Sequence, residues 1–403
     1  MRRKLSAVLI IGGLVLAFAT TAGAVPAASA LGQPNKATGT PVTLGLISDG
    51  KSDTVDNTPE IKAAQAAVNY INNYKGGLAG HPIKLEVCET KQTPTGATNC
   101  ATQMVDAKVA AIMTPVSGQM SSIYDGIQGS GIPFIAGASN DQNVLLKPGA
   151  FVLQNGLGFA LAGPAGVARD NGVKNAAVLV ADVPAASGPV QSVGGVFYKN
   201  AGVTLDVVPV PLGTADMTPQ VQAALAKGPG QFSLIGDPSF CTSALKALKT
   251  LGYDKGIVVI PQCIDESSAK AVPGGLKGIT EVTAISNSPK TADYKTYSAA
   301  MDKYAKGTSK GGVATGGWST VLGAVESLQG ITGDVTPETI TAALKAMPPT
   351  ALPLGGGIMV QCNSPISIVP NICSTQVLVA QLDKAGVVAK AKVLETKDLI
   401  KLG

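Results

Sequence analysis

Short apolar runs rich in β-branched residues alternate along the chain with segments of helical character, and this alternation constrains the fold more than any other feature. The first unit is a predicted strand at Val42–Ile47, followed by a helix with Thr58 as its N-cap and Pro59 at its first helical position. Gly76–Gly77 is expected to end that helix, and Ile83–Val87 alternates as the next strand. The pattern predicts parallel sheets covered by helices on both faces.

The later elements fall into two groups. Further predicted strands are Ala110–Met113, Pro133–Ala136, Ala176–Ala181, Val203–Val210, Ser233–Gly236 and Ile257–Ile260, with helices at Tyr294–Tyr304 and Trp318–Leu328 and a β-rich end at Gly355–Val388. Phe151–Gly166 is rich in Gly and Ala, which is expected where the chain leaves one lobe for another, and a second break is expected near Ile285–Pro289. The sequence therefore predicts an α/β protein with two lobes.

The N-terminus has the layout of a secretory signal peptide, residues 1–30. Arg2, Arg3 and Lys4 precede an apolar core at Ala7–Ala19, and small-residue cleavage motifs end at Ala24 and Ala30. No Cys lies near these motifs, so no lipid attachment is expected. We expect cleavage and a secreted or periplasmic protein, since no later stretch offers about 18 consecutive apolar residues.

The charge of the chain argues against some partners. The formal net charge is +5, and cleavage removes three positive charges, which leaves the chain nearly neutral. The basic residues are scattered and form no dense cluster. We therefore expect no nucleic-acid partner and no binding to an anionic membrane surface.

Six Cys residues in a secreted chain predict disulfide bonds, although about fifteen pairings are possible. Chain order favours Cys88–Cys100, Cys241–Cys263 and Cys362–Cys373. A zinc site is the alternative, but the chain has one His and no Cys-x-x-Cys pair, so no metal is expected.

The sequence offers little for catalysis. His81, the single histidine, lies in a Gly-His-Pro turn between a helix and a strand, and neither a Gly-x-Ser-x-Gly nor a His-Glu-x-x-His motif is present. The glycines of Gly156–Gly163 fit no nucleotide-binding loop, and no cofactor is expected. Paired carboxylates of a glycosidase remain conceivable, but aromatic residues make up 4% of the chain, whereas sugar-cleaving grooves are usually rich in them. We expect a protein that is not an enzyme.

Two loops follow predicted strands and precede helices, which is where open α/β sheets bind ligands. One holds Ser117 after Ala110–Met113, and the other holds Ser139 and Asn140 after Pro133–Ala136. A ligand carboxylate suits both loops. The alternative is that these three side chains are ordinary helix N-caps.

These features together resemble the type I periplasmic binding proteins, in particular the receptors for leucine, isoleucine and valine. The resemblance runs from about Val42 to about Val388, and its most specific part is the Ile-Asn-x-x-x-Gly-Gly-Leu-x-Gly pattern of Ile71–Gly80. Gly131–Ile135, Gly137–Asn140 and Trp318–Leu328 support it. It implies a two-lobed periplasmic-binding-protein-like I fold, in which each lobe is a mainly parallel sheet flanked by helices and three hinge crossovers, near residues 155, 285 and 350, join the lobes. The lobes would be residues 42–155 plus 285–350 and residues 156–284 plus 351–403.

The resemblance also implies a site. Ser117, Gly137 and Ser139 would hold the carboxylate of an amino acid or related ligand. In the second lobe the acidic residue that usually binds the ligand's ammonium falls near Gln262, which is not a carboxylate, so Asp237 or Asp265 is expected to replace it. Our candidate ligand contacts in the second lobe are Asp237, Phe240 and Gln262.

The implied function is that of a solute-binding receptor that delivers a small ligand to the membrane permease of an ABC-type importer. One alternative is a sensory binding module that reports the ligand to a membrane partner, and another is a secreted hydrolase that uses carboxylates.

Overall fold

In a computed structural model of the protein, the structure describes residues 30–401 except Thr54, Leu157, Asp265, Ser364, Pro365, Ser367 and Ile368. The predicted signal peptide therefore lies outside the described residues, apart from Ala30. Within the described part of the chain, no helix is long and apolar enough to cross a membrane.

The strands form two large sheets and one small one. They are β1 Val42–Ser48, β2 Ile83–Glu89, β3 Ile112–Thr114, β4 Phe134–Ser139, β5 Ala150–Asn155, β6 Asn175–Ala181, β7 Thr204–Val210, β8 Gln231–Ile235, β9 Ile257–Val259, β10 Thr280–Thr283, β11 Thr350–Ala351, β12 Met359–Val360, β13 Gln376–Leu382 and β14 Val388–Glu395.

Helices connect most of the strands. They are α1 Thr58–Tyr70, α2 Pro94–Asp106, α3 Met120–Gly126, α4 Gln142–Leu146, α5 Gly163–Asp170, α6 Pro184–Pro189, α7 Gly195–Asn200, α8 Thr218–Leu225, α9 Pro238–Thr250, α10 Glu266–Ala271, α11 Ala292–Tyr304, α12 Val313–Ser327 and α13 Pro337–Ala346. Three π-helical turns occur at Ile71–Lys75, Gly158–Ala162 and Val190–Gly194, and a 3-10 turn occurs at Pro261–Cys263.

The first sheet has the order β2-β1-β3-β4-β5 and is entirely parallel. The second has the order β14-β13-β10-β9-β8-β6-β7, in which β6 to β10 run parallel and β13 is antiparallel to both of its neighbours, β10 and β14. Helices cover both sheets because strands that are buried on both faces need apolar cover on each side. The predicted fold class, two mainly parallel α/β lobes with flanking helices, is confirmed.

Most predicted elements are present, with shifted ends. The N-cap of α1 is Asn57 and not Thr58, which is the first helical residue, so Pro59 occupies the second position. The helix continues through a π-helical turn and stops at Gly76, whose φ of 79° is readily adopted only by glycine. Gly77 also has a positive φ and leaves no room for a Cβ beside the backbone oxygen of His81.

Two buried strands escaped prediction. β5 lies inside the Gly- and Ala-rich stretch that the sequence predicts as a lobe exit, and β10 carries two threonines and a glutamate among its four residues. Both strands are buried along their whole length. In β5 the apolar run Phe151–Leu153 packs in the core and only Gln154 lines the cavity between the two sheets, whereas Glu281 and Thr283 of β10 both line it.

The chain passes between the two sheets at three places. It leaves the first sheet after β5, and it returns between β10 and α11, where α11 and α12 pack against α1. After α13 it forms the small antiparallel sheet of β11 and β12 and then joins the second sheet at β13. Before β13, Ile372 still bridges to Val152 of β5, so this return segment contacts the first sheet.

Three disulfide bonds are present, in the pairing that chain order favours. Cys88–Cys100 joins β2 to α2, Cys241–Cys263 joins α9 to the 3-10 turn after β9, and Cys362–Cys373 closes a short loop before β13. No free cysteine remains among the described residues.

Candidate functional site

A cavity of about 400 Å³ lies where the two sheets face each other. Its first wall contains residues at the carboxyl ends of β3, β4 and β5, namely Pro115, Val116, Ala138 and Gln154. Its second wall contains Pro261 and Gln262 after β9, Glu281 and Thr283 of β10, and the crossover residues Ala284, Ile285 and Asn287. Ligands of open α/β sheets bind at this end of the strands, and the volume is within the usual range of about 300 to 1,000 Å³ for small-molecule sites.

The first wall also carries a buried carboxyl group, that of Glu60 in the first turn of α1. Glu60 is fully buried, and one of its oxygens, Oε1, accepts a hydrogen bond of 2.6 Å from the Ser48 hydroxyl. The other oxygen, Oε2, is buried without a partner among the described residues. Burial raises the pKa of Glu60 to about 8; the hydrogen bond from Ser48 opposes this rise and the nearby Asp49 carboxylate adds to it.

Close packing of two helices fixes Glu60 in this position. α12 lies directly against α1, and a Cβ on Gly317 would be 2.1 Å from the backbone oxygen of Glu60. The absence of a side chain at Gly317 therefore lets the two helices approach, and this holds Glu60 beside the start of α12.

The second wall carries its own buried carboxyl group, that of Glu281 in the middle of the second sheet. Glu281 pairs in register with Val259 of β9 and Ala380 of β13, and 8% of its surface is exposed. No hydrogen bond or ion pair to its carboxyl group is found among the described residues. Burial alone raises its pKa to about 7.

The start of α12 forms the remaining side of the cavity, through Gly311, Gly312, Val313 and Gly316. No side chain caps this helix, and its N-cap Gly312 has a φ of 56°, which favours glycine. The first turn of a helix has unpaired N–H groups and a partial positive charge. One turn further along, the buried Thr320 hydroxyl also lines the cavity and has no partner within the described structure.

No lysine, arginine or histidine is among the described residues that line the cavity. Its charged groups are the two glutamates, and its positive potential comes from the α12 terminus. Within the described residues, no group of three or more His, Cys, Asp or Glu side chains could hold a metal ion.

The three candidate residues of the first lobe with polar side chains are not among the residues that line the cavity, although Ser117 and Ser139 each adjoin a residue that does. The Ser117 hydroxyl donates to Asp49 Oδ1 at 2.5 Å and accepts from the Gln119 N–H, while its neighbour Val116 lines the cavity. Ser139 is buried and caps the Asp141 N–H at 3.1 Å. Asn140 is exposed.

Gly137 serves close packing. A Cβ at Gly137 would lie 2.2 Å from the Thr320 hydroxyl oxygen and 2.5 Å from the Pro115 backbone oxygen. Its neighbour Ala138 lines the cavity and donates its N–H to Pro115 O at 2.9 Å. Gly137 thus keeps the ends of β3 and β4 and helix α12 together around the first wall.

The candidates of the second lobe lie in different environments. Gln262 lines the cavity, and the disulfide bond of its neighbour Cys263 to Cys241 ties this part of the wall to α9. Asp237 is exposed and caps α9, where it accepts from the Phe240 N–H at 2.8 Å and the Ser239 hydroxyl at 2.7 Å. Phe240 is packed in the core of this lobe. Asp265 lies outside the described residues.

Sequence reasoning missed Glu60, Glu281 and Thr320. Glu60 looks like an ordinary acidic residue of a first helical turn, a position where carboxylates are common on exposed surfaces. Glu281 offered a usable signal, because a glutamate in the middle of a short strand of a covered sheet must be buried. Such a buried carboxyl group needs a partner or a function.

The fold has two lobes with a cavity between the sheets, and comparisons with known proteins identify its family. Residues 41–386 match the model of a family described as periplasmic binding protein. The chain belongs to this periplasmic binding protein family. No protein of curated function matches it in sequence.

Solved structures share the fold at low sequence identity. An ABC transporter substrate-binding protein from Sphaerobacter thermophilus is 18% identical with a TM-score of 0.70, and the match covers 87% of this chain and 98% of that protein. The branched-chain amino acid binding protein LivJ from Streptococcus pneumoniae, in complex with isoleucine, is 19% identical with a TM-score of 0.63 and coverages of 88% and 99%. A solute-binding protein from Rhodopseudomonas palustris HaA2, in complex with p-hydroxybenzoic acid, is 14% identical with a TM-score of 0.68 and coverages of 88% and 97%. Because proteins of this one fold bind ligands as different as these, the fold does not fix the ligand of this chain.

Proposed function

We propose that this protein is the extracytoplasmic receptor of an ABC-type importer and binds a small carboxylate-bearing ligand, such as an amino acid, between two closing lobes. The observation that carries the proposal is the cavity between the sheets, which combines apolar walls with buried polar groups that lack partners. Such groups cost stability unless a ligand satisfies them.

The proposed lobes are residues 42–155 plus 285–350 and residues 156–284 plus 351–403. The crossover residues Ala284, Ile285 and Asn287 line the cavity, so a hinge motion there changes the distance between its walls. A ligand that contacts both walls stabilises the closed form, because only then are all its contacts made. The closed form is the state that a membrane permease would recognise.

The carboxylate is proposed to bind at the ends of β3 and β4, near Ser117, Gly137, Ser139 and Asn140. Ala138 and Val116 already line the cavity there, and the uncapped start of α12 faces the same space. Backbone N–H groups and the free Thr320 hydroxyl supply donors of the kind that a carboxylate needs. Gln262 is the proposed contact from the opposite wall, while Asp237 and Phe240 are proposed to support it from α9.

A thermal-shift screen tests this proposal. The mature, oxidised protein is heated with amino acids, amides, small carboxylates, nucleosides and sugars. A ligand at about 100 times its dissociation constant adds about 2.7 kcal/mol to the free energy of unfolding, and we expect a hit among the amino acids to raise the melting temperature by several degrees.

A matched pair of variants shows whether a hit binds in the cavity. Gly316→Leu places a side chain in the cavity, because a Cβ at Gly316 meets only the Pro115 Cβ, at 3.9 Å. Gly195→Leu is the control at another half-buried helical glycine with open space, away from the cavity. We expect the shift to disappear in Gly316→Leu and to persist in Gly195→Leu. If no solute shifts the wild type, or if Gly316→Leu binds normally, the proposed function is wrong.

A further inference from the structure

Glu60 and Glu281 place one buried carboxyl group on each wall of the cavity, and both need a partner. Among the described residues, Glu60 Oε2 is fully buried and has no hydrogen-bond partner. The Glu281 carboxyl group has no hydrogen bond within the same part of the chain either, but its oxygens are not fully enclosed. In the same part of the structure, no lysine, arginine or histidine lines the cavity to neutralise them. A buried carboxylate without a partner is costly, so the partners are expected to come from the ligand.

The two carboxyl groups act as separate sites. They come from different lobes, Glu60 from α1 and Glu281 from β10. Neither contributes to the pKa shift of the other: Asp49 is the charged neighbour of Glu60, and burial alone acts on Glu281. A single ammonium shared between them therefore explains the arrangement less well than two cationic groups.

The surface that connects the two sites is largely apolar. Pro115, Val116 and Val313 line it on the first side, and Ile264 and Ile285 line it on the second. Such a surface fits a chain of methylene groups. Burial of that chain contributes about 25 cal/mol of favourable free energy per Å² of apolar surface removed from water.

We propose that the ligand is a diamino compound in which an aliphatic chain joins two cationic nitrogens, one bound by Glu60 and the other by Glu281. The proposal rests on the proposed function, since it names the ligand class of the same cavity. Combined with a carboxylate at the start of α12, it describes a basic amino acid. Without that carboxylate, it describes an aliphatic diamine.

The charges at the site are consistent with this ligand. Ionisation of the two glutamates on binding leaves the cavity net negative even with the partial positive charge of the α12 terminus, which disfavours simple anions and favours a ligand of net positive charge. Each ammonium–carboxylate contact in a buried site is a charge-assisted hydrogen bond, which is roughly twice as strong as a neutral one.

Matched probes test the proposal by calorimetric titration. L-lysine and L-norleucine have the same carbon skeleton and differ in the ammonium that lysine carries on its terminal carbon in place of a hydrogen atom. 1,5-Diaminopentane lacks the carboxylate, and hexanoate lacks both nitrogens. We expect L-lysine to bind at least about tenfold more tightly than L-norleucine, and hexanoate to bind most weakly.

Near-isosteric variants then locate the two cationic groups. Glu60→Gln and Glu281→Gln should each reduce the preference for L-lysine over L-norleucine by about tenfold or more. Glu326→Gln is the control, because that half-buried glutamate of α12 pairs with Lys75 at 3.3 Å and does not line the cavity. Melting temperatures of all variants at pH 5, where the glutamates at 60 and 281 are protonated, verify that each one folds.

The possible outcomes separate this proposal from the proposed function. If L-norleucine or hexanoate binds as tightly as L-lysine, and Gly316→Leu abolishes that binding, the receptor function stands and the diamino ligand is wrong. If none of the four probes binds, the diamino ligand is also wrong, and the broader solute screen decides the receptor function.

Discussion

The two walls of the cavity each carry one buried glutamate, but they hold it in different ways. At the end of β1 the Ser48 hydroxyl donates to Glu60, and beside it Thr90 and Ser117 donate to Asp49. Glu281 has no such support among the described residues and projects from a strand in the middle of a sheet. One oxygen of Glu60 is therefore held in place before a ligand arrives, whereas among the described residues neither oxygen of Glu281 is.

The largest expected effect concerns the pH dependence of stability without ligand. Both pKa values are raised from an unfolded value near 4.5, so the folded state holds these protons more tightly and stability falls as the pH rises from about 4.5 to about 8. At pH 9 the loss is up to about 5 kcal/mol for Glu60 and about 3 kcal/mol for Glu281, at about 1.4 kcal/mol per pKa unit.

Denaturant unfolding from pH 4 to pH 9 measures this effect. We expect Glu60→Gln and Glu281→Gln to be more stable than the wild type at pH 9 and similar to it at pH 4. The fall in wild-type stability due to Glu281 should level off near pH 7, and that due to Glu60 near pH 8. Equal stability of wild type and variants at pH 9 would mean that the two glutamates are solvated and not buried.

The next effect concerns the disulfide bond beside the second wall. Replacing Cys241 and Cys263 by Ser opens a loop with a sequence separation of 22 residues and should cost about 3 kcal/mol. Because the bond anchors Pro261 and Gln262, we also expect weaker ligand binding.

The matched control is the double replacement of Cys88 and Cys100 by Ser, in the first lobe. It should destabilise the protein by a similar amount, since it opens a loop with a separation of 12 residues, without changing affinity once folding is allowed for. Denaturant unfolding and calorimetric titration of both variants measure stability and affinity for each wall. An equal loss of affinity in the two variants would show that Cys241–Cys263 does not anchor the ligand site.

A smaller effect is expected at Thr320. Thr320→Val removes a buried hydroxyl group that lacks a partner among the described residues, so stability without ligand should rise by about 1 kcal/mol. Binding of a carboxylate-bearing ligand should weaken, because the hydroxyl lines the cavity. Thr114→Val is the control, since that hydroxyl is equally buried and unpaired but does not line the cavity. Thermal unfolding and titration distinguish them, and identical binding by both variants would exclude Thr320 as a ligand contact.

The smallest effect on stability is expected at Ser139. Ser139→Ala removes a hydrogen bond to the Asp141 N–H and should cost less than about 1 kcal/mol. If Ser139 holds the ligand carboxylate as proposed, the affinity for amino acids should fall by about tenfold. Titration with an amino acid found in the screen measures this, and an unchanged affinity would leave Ser139 with a structural role only.

The fold was predictable because its signals are local. Apolar runs such as Val42–Ile47 and the glycine stop at Gly76–Gly77 depend on nearest neighbours along the chain. β5 was missed because its short apolar run begins the Gly- and Ala-rich stretch that is interpreted as a lobe exit. β10 was missed because three of its four residues are Thr or Glu, and Glu281 and Thr283 line the cavity.

The site was predictable only in outline. The ends of β3, β4 and β9 do border the cavity, since parallel strands bring their carboxyl ends to one edge. The particular side chains depend on tertiary packing: Glu60 borders the cavity because Gly317 lets α12 approach α1, and Phe240 turns into the core. The local sequence pattern indicates neither of these contacts.

Proton release on ligand binding tests the central claim most directly. Titration of the wild type with L-lysine at pH 7, in two buffers of different ionisation enthalpy, measures how many protons leave the protein. At that pH Glu60 is mostly protonated and Glu281 about half protonated, so binding of a dicationic ligand that ionises both should release about one to one and a half protons. Glu60→Gln should release about half a proton. Binding of L-lysine without proton release would contradict the account, because the ligand would then not meet the two buried glutamates.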